Sequence, residues 1–261
     1  MNEPSSGPTG KFVWYEYMGD DLDAAARFYG EVVGWSVVDS GMTDFPYRIA
    51  KTGDYPVAGL MKIPAELKAT GMAANWTGYI WVADVDAAVA RLTTAGGSVN
   101  RPAADIPGVG RFAVVADPQG AVFILFRDAG GTPPPRPENA NVGLVGWPEL
   151  MAEDGPKALA FYEEFFGWKK DSEFDMGAMG VYYLFSTGQG EFGGLMTKPA
   201  RIPRACWTYY FNVDAIDAAA ARVAAAGGKV INGPMDVPGG TFVLQAMDPQ
   251  GGFFALHATK R

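Results

Sequence analysis

The sequence predicts an α+β protein of two tandem domains, each made of two βαβββ modules. Two observations carry that prediction: the chain repeats itself, and inside each repeat a strand, a helix and three short strands follow one another twice. Read 133 residues apart, Trp14, Glu16, Met18, Phe28, Tyr29, Gly34 and Trp35 return as Trp147, Glu149, Met151, Phe161, Tyr162, Gly167 and Trp168. Read 131 residues apart, Trp76, Tyr79, Asp86, Arg91, Gly96, Gly97 and the turn Asp117-Pro118-Gln119-Gly120 return as Trp207, Tyr210, Asp217, Arg222, Gly227, Gly228 and Asp248-Pro249-Gln250-Gly251.

Each element has a local reason. Phe12 to Tyr17 is aromatic and β-branched and reads as a strand. Asp20 and Asp21 offer a helix cap, Leu22, Ala25, Ala26, Tyr29, Val32 and Val33 recur at helical spacing, and Gly34 stops the run. Three β-prone runs follow, Trp35 to Asp39, Tyr47 to Lys51 and Val57 to Ile63, parted by Gly, Pro and Asp turn signals. The second module opens with a strand over Trp76 to Val82. Its helix starts at Asp84, carries Val85, Ala88, Val89 and Leu92 on one face, and ends at Gly96-Gly97. Short strands over Ser98 to Asn100, Arg111 to Ala116 and Ala121 to Phe126 complete it. Proline, with φ already fixed, suits the second position of the Asp-Pro-Gln-Gly turn, and glycine the fourth. The second repeat has the same plan, with Pro156 near the start of its first helix.

The expected organisation is a disordered tail over 1–10, a first domain over 11–128, a linker over 129–142 and a second domain over 143–261. The linker carries Gly130, Gly131 and Pro133, Pro134, Pro135 and Pro137. Such a run cannot sustain a hydrogen-bond ladder and acts as a semi-rigid spacer.

A chain of 261 residues that is 48% hydrophobic can bury two ordinary cores. Its net charge of -8 presents no basic face to phosphates or anionic lipid, so neither nucleic acid nor a membrane is an expected partner. No run approaches the roughly 18 apolar residues of a membrane span. Cys206 has no partner in the chain, which rules out an internal disulfide and points to a reducing, cytoplasmic compartment. One histidine cannot build a three-donor catalytic zinc site or a two-imidazole iron site, so no metal or other cofactor is expected.

Trp-x-Glu on each first strand, Phe-Tyr followed by Gly-Trp, a strand running into Val-x-Asp-x-Asp, an Ala-Gly-Gly helix end and Asp-Pro-x-Gly before the last strand form one ordered pattern. It resembles the vicinal oxygen chelate superfamily, which groups glyoxalase I, bleomycin resistance proteins and extradiol dioxygenases. The resemblance covers about residues 11–128 and 143–258 and is greatest to the tandem two-domain glyoxalase-like proteins. It implies that each pair of modules forms a curled mixed sheet around a cavity. It also implies where metal ligands stand in metal-binding members, and there this chain departs. The first-strand ligand position holds Trp14 and Trp147, the fifth-strand position Thr77 and Thr208, and the last-strand position Ile124 and Ala255.

Strand alternation places Glu16 and Met18 on the face of Trp14, and Glu149 and Met151 on that of Trp147. A carboxylate between an indole and a thioether is partly desolvated and suits a general base or a ligand acceptor; the plainer alternative is a carboxylate bound into the fold. Thr77, Tyr79 and Trp81 share a face, as do Thr208, Tyr210 and Asn212, and Tyr47, Tyr182 and Tyr183 stand on the third strands as cavity walls. Trp76 and Trp207 are further candidates for stacking on a guest. His257 follows Ala255 by two and points to the same cavity mouth, where an imidazole can serve as acid or base.

The leading expectation is a metal-independent small-molecule-binding protein with aromatic-lined cavities, akin to the bleomycin resistance branch. Its alternative is a metal-free lyase, isomerase or hydroxylase-like enzyme on a small carbonyl or aromatic substrate, with Glu149 or Glu16 as base. A third reading is an interaction protein with filled cavities. A monomer with an internal pseudo-dimer, or a homodimer, fits the duplication.

Overall fold

The computed structural model describes residues 10–131, 142–188 and 190–261. The expected tail over 1–10, apart from Gly10, and the stretch 132–141 of the expected linker lie outside the described residues. The first repeat runs β1 (Phe12–Gly19), α1 (Leu22–Val33), β2 (Ser36–Asp39), β3 (Tyr47–Thr52), β4 (Tyr55–Lys62), a short α2 (Ala65–Ala69), β5 (Asn75–Trp81), α3 (Val85–Thr94), β6 (Ser98–Ile106), β7 (Gly110–Ala116) and β8 (Val122–Asp128). The second runs β9 (Val145–Ala152), α4 (Gly155–Phe166), β10 (Lys169–Asp175), β11 (Val181–Ser186), β12 (Glu191–Thr197), β13 (Cys206–Asn212), α5 (Ile216–Ala225), β14 (Lys229–Val237), β15 (Thr241–Met247) and β16 (Phe253–Ala258). The strands form two eight-stranded sheets, ordered β2-β3-β4-β1-β5-β8-β7-β6 and β10-β11-β12-β9-β13-β16-β15-β14. Both are mixed: β1 runs parallel to β4 and β5 to β8, while the hairpins are antiparallel. This is the α+β, twice-paired βαβββ architecture that the repeat predicts.

The caps behave as their residues dictate. Asp21 accepts from the Ala24 amide at 2.9 Å and Asp154 from that of Lys157 at 3.1 Å, satisfying helix N-termini. Gly34 and Gly167 close the same helices at φ of +89° and +73°, a left-handed conformation that favours glycine. One element differs from the sequence reading. The strand expected over Ser98 to Asn100 continues through Pro102 to Ile106. As β6 ends its sheet, a residue without an N–H removes no ladder bond there, and the register shifts between Arg101 and Ala104. The short α2 after Pro64 was not foreseen, because five residues carry too little periodicity to read.

Packing divides the chain into two compact units, each drawing on both repeats: one holds 14–76 and 208–261 with 142–147, the other 77–131 and 148–207 with 10–13. Inside the first, Tyr29 donates to Asp248 Oδ2 at 2.9 Å and accepts from Trp76 Nε1 at 2.8 Å. Phe28 and Tyr29 of α1 meet Phe254 of β16 edge-on, and Trp35 meets Phe211 at 5.0 Å. Inside the second, Tyr162 donates to Asp117 Oδ2 at 3.0 Å and accepts from Trp207 Nε1 at 3.3 Å. The Asp-Pro-Gln-Gly turn therefore does more than reverse the chain. Gln250 accepts from the Asp20 and Asp21 amides at 2.8 and 2.7 Å, and Gln119 from that of Asp154 at 2.7 Å, so each turn holds the first helix of the other repeat. Arg222 and Arg91 donate to the carbonyls of Val32 and Phe165 near the far ends of α1 and α4.

Candidate functional site

On β1, alternation buries Tyr15 and Tyr17 on one face and leaves Trp14, Glu16 and Met18 on the other. Glu16 is only 8% exposed. Tyr47, on β3, reaches over β4 to donate to Glu16 Oε2 at 3.3 Å, and its oxygen accepts from Trp14 Nε1 at 3.2 Å. The crossing is possible because the residue beneath the ring, in register with Glu16, is Gly59. Burial, and after it the charge of Glu16, push the Tyr47 phenol well above its usual range, so it remains a proton donor and the carboxylate the acceptor.

The second repeat rebuilds the phenol–carboxylate pair. Tyr182 donates to Glu149 Oε2 at 3.0 Å, Gly194 lies in register with Glu149 beneath the ring, and Glu149 is 7% exposed. Of the adjacent tyrosines on β11, Tyr182 is thus the one aimed at the carboxylate, and Tyr183 alternates away from it. A Cβ at Gly194 would lie 2.2 Å from the Tyr182 oxygen, and one at Gly59 1.8 Å from that of Tyr47. Neither glycine has a positive φ, so alanine there is strained only by the ring above it. We expect Gly194→Ala to cost about 1–3 kcal/mol of stability and to swing Tyr182 off Glu149. In a Tyr182→Ala background the same change should cost nothing further, as a double-mutant cycle by urea unfolding would read.

On β5 and β13 the expected parity holds. Thr77 and Tyr79 are buried, with Tyr79 edge-on to Phe126 at 5.7 Å, and Trp76 lies on the opposite face within the Tyr29 relay. Trp207 is likewise opposite Thr208 and Tyr210 and bonded to Tyr162. Tyr210 forms a buried cluster with Val243 and Ala255, against which Trp147, Met235 and Val237 pack. Gln245 donates to Tyr210 at 3.2 Å, and His257 Nδ1 lies 2.9 Å from Asn212 Oδ1. Met18 and Met151 are half-buried beside Met61 and Met196. Gln245 was not legible beforehand: only the pairing of β15 with β16 turns it to the side of Ala255.

Family models match both repeats. Residues 18–126 match a glyoxalase-like domain and residues 144–255 the Glyoxalase/Bleomycin resistance protein/Dioxygenase superfamily. A Mycobacterium tuberculosis protein named "Putative glyoxylase CFP32" is 35% identical over 86% of this chain and 85% of its own. The chain belongs to the glyoxalase/bleomycin resistance/dioxygenase superfamily. The Streptomyces anthracycline biosynthesis protein DauV is 32% identical over 87% of this chain and 86% of its own. In fold, the chain is similar to the Mn(II)-bound glyoxalase of Novosphingobium aromaticivorans, at a TM-score of 0.66 and 17% identity over 97% of this chain and 83% of that one.

A metal of the kind held by that glyoxalase does not fit the side chains here. Among the described residues no three His, Cys, Asp or Glu converge. Indoles occupy both first-strand positions, and Glu16 and Glu149 are each engaged by a phenol. The superfamily scaffold is thus present with a phenol–carboxylate pair in each repeat.

His257 supplies a separate test. Burial pulls its imidazole below the ordinary 6.5. The unfolded chain then binds more protons just below that value, so stability is full above it and is lost as pH falls through the folded value. Unfolding at about pH 7.5 and about pH 5.5 should show a loss on acidification that is smaller in His257→Gln.

Proposed function

We propose that this protein binds a small, flat, partly apolar molecule without a metal ion, on the face that carries Trp14, Glu16 and Tyr47 in the first repeat and on the face that carries Glu149 and Tyr182 in the second. The single observation that carries the reading is a buried carboxylate bonded to a half-buried phenol in each repeat, joined in the first by the Trp14 indole. An aromatic ring stacks on the indole while the carboxylate and the tyrosine or threonine hydroxyls orient its polar edge. The anthracycline biosynthesis relatives support a fused-ring quinone as the class of guest. The domains extend over 11–128 and 143–261, and the chain works as a monomer with an internal pseudo-dimer or as a homodimer. Cys206, a free thiol, suits the cytoplasm, and among the described residues no helix is long and apolar enough to cross a membrane.

Calorimetric titration with a panel of quinones, followed in parallel by tryptophan fluorescence, tests the reading. Binding tighter than about 1 mM is expected for at least one member. A panel without such a member would sink it, and stoichiometric zinc, iron or manganese in purified protein would sink its metal independence.

The same pairs favour one second reading, a metal-free lyase or isomerase. A buried carboxylate facing a phenol is the composition of a general base and an oxyanion donor. Turnover of a carbonyl substrate that vanishes in Glu149→Gln, with the fold intact, would select it over simple binding.

A further inference from the structure

The two repeats share β1 and β9 chemistry but have diverged in their second modules. Read 131 residues apart, Phe112, Val114, Ile124, Phe126 and Trp81 of the first repeat correspond to Val243, Gln245, Ala255, His257 and Asn212 of the second. Four of these five changes remove bulk, two introduce a hydrogen-bonding side chain, and Asn212 exchanges an indole for a carboxamide. In the first repeat four of the five are buried, with Phe126 against the Tyr79 ring and Trp81 and Ile124 at 0% and 2% exposure, while Val114 is of intermediate burial. In the second they are half open. Asn212, Gln245 and His257 are all of intermediate burial, although Tyr210, Val243 and Ala255 between them are buried.

These polar groups lie on one face. Gln245 opposes Ala255 in the β15–β16 ladder, His257 opposes Val243, and β13 aligns Tyr210 with Ala255 and Asn212 with His257. The Asn212 carboxamide is fixed against Gly146, where a Cβ would come within 2.2 Å of its oxygen; the first repeat has Val13 there. With Asn212 Oδ1 accepting from Nδ1, the remaining Nε2 of a neutral imidazole is a hydrogen-bond acceptor. Gln245 is held by Tyr210 on one side and Asn232 on the other, and is the diagonal neighbour of His257 across the β15–β16 ladder, roughly 7–8 Å away.

We infer that the second module of the second repeat is the recognition subsite, selecting hydroxylated aromatic guests through His257 and Asn212 with Gln245 and Tyr210, while the matching module of the first repeat is closed. This rests on the small-molecule reading above and adds which repeat reads the guest and by which substituent. A guest hydroxyl donates to His257 Nε2, and the Gln245 end of the row meets a second oxygen.

Two soluble anthraquinone sulfonates decide it: alizarin red S, which carries two hydroxyls, and anthraquinone-2-sulfonate, which lacks them. The full chain should bind the first about tenfold more tightly. Because His257 is the one histidine, its ring signals in heteronuclear NMR are unambiguous, and they should move with the first probe. The double variant Ala255→Ile, His257→Phe, which installs the first repeat's residues, should erase the preference. The single variant His257→Gln should reduce it if the double variant fails to fold. Equal binding of both probes, or binding that leaves the His257 signals unmoved, overturns the inference and leaves the binding reading standing. Binding of neither probe overturns the inference, and the quinone panel then decides the reading separately.

Discussion

Asp248→Ala will lower the unfolding free energy by about 3–5 kcal/mol, the largest loss expected from any single carboxylate. Asp248 is 5% exposed and takes three donors: the Tyr29 hydroxyl at 2.9 Å and the amides of Gln250 and Gly252 at 2.8 and 2.9 Å. Each donor left without an acceptor costs about 1–3 kcal/mol, less whatever water entering the small cavity returns. The loss spreads, because Gln250 in the same turn supports the amides that open α1. Asp248→Asn keeps one oxygen for the two amides but opposes an amino group to the Tyr29 hydroxyl, which already accepts from Trp76. Its cost should fall to about 1–2 kcal/mol. Urea unfolding of the two variants checks both figures, and an alanine variant within about 1 kcal/mol of wild type would show the turn to be held by its backbone alone.

Asp117 occupies the same place in the other unit, with Tyr162, Gln119 and Ala121 as its donors, and there burial raises the carboxyl above its ordinary 3.8. For a raised carboxyl the linkage runs opposite to the usual acid: its contribution is full below the unfolded value and is lost as pH rises through the folded one.

What the sequence makes legible follows the range of the interaction. Asp21 before an apolar periodic run and Gly34 after it announce a helix from its own residues, and α1 starts and stops there. The paired faces of β1 and β9 are equally local, because a strand alternates whatever it packs against. The partner of Tyr29 is 219 residues away, and no local period reports it. The repeat displays Tyr29, Asp117, Gln119 and Arg91 twice without saying that each copy is satisfied by the other repeat. Trp76 and Trp207 illustrate the consequence. Their strand parity places them opposite Thr77 and Thr208, so they serve the relay between repeats, on the face away from those threonines. Tyr182 against Tyr183 is a subtler case, decided by the glycine on the neighbouring strand rather than by anything in the dipeptide.

Trp168→Ala is the second large effect, about 3–5 kcal/mol. Trp168 is 2% exposed, stacked on Phe185 at 4.4 Å and on Tyr162 at 4.9 Å, and its Nε1 donates to the Gly10 carbonyl at 2.8 Å. Truncation removes the largest ring from a cluster that also contains Phe166 and Phe192, and these cannot collapse onto the vacancy without leaving their own strands and helix. Trp168→Phe separates the two contributions, since it keeps most of the stack and drops the bond to Gly10. Its cost should be about 1 kcal/mol for the bond, with somewhat more for the lost ring. Trp35, whose Nε1 donates to the Gly143 carbonyl, provides the matching pair in the other unit. In each case a Gly-Trp at the end of a first helix pins the backbone just before the first strand of the other repeat. If Trp168→Phe proved as costly as Trp168→Ala, the carbonyl bond and not the stacking would be the anchor, and the aromatic cluster would be filling space that backbone pairing alone defines.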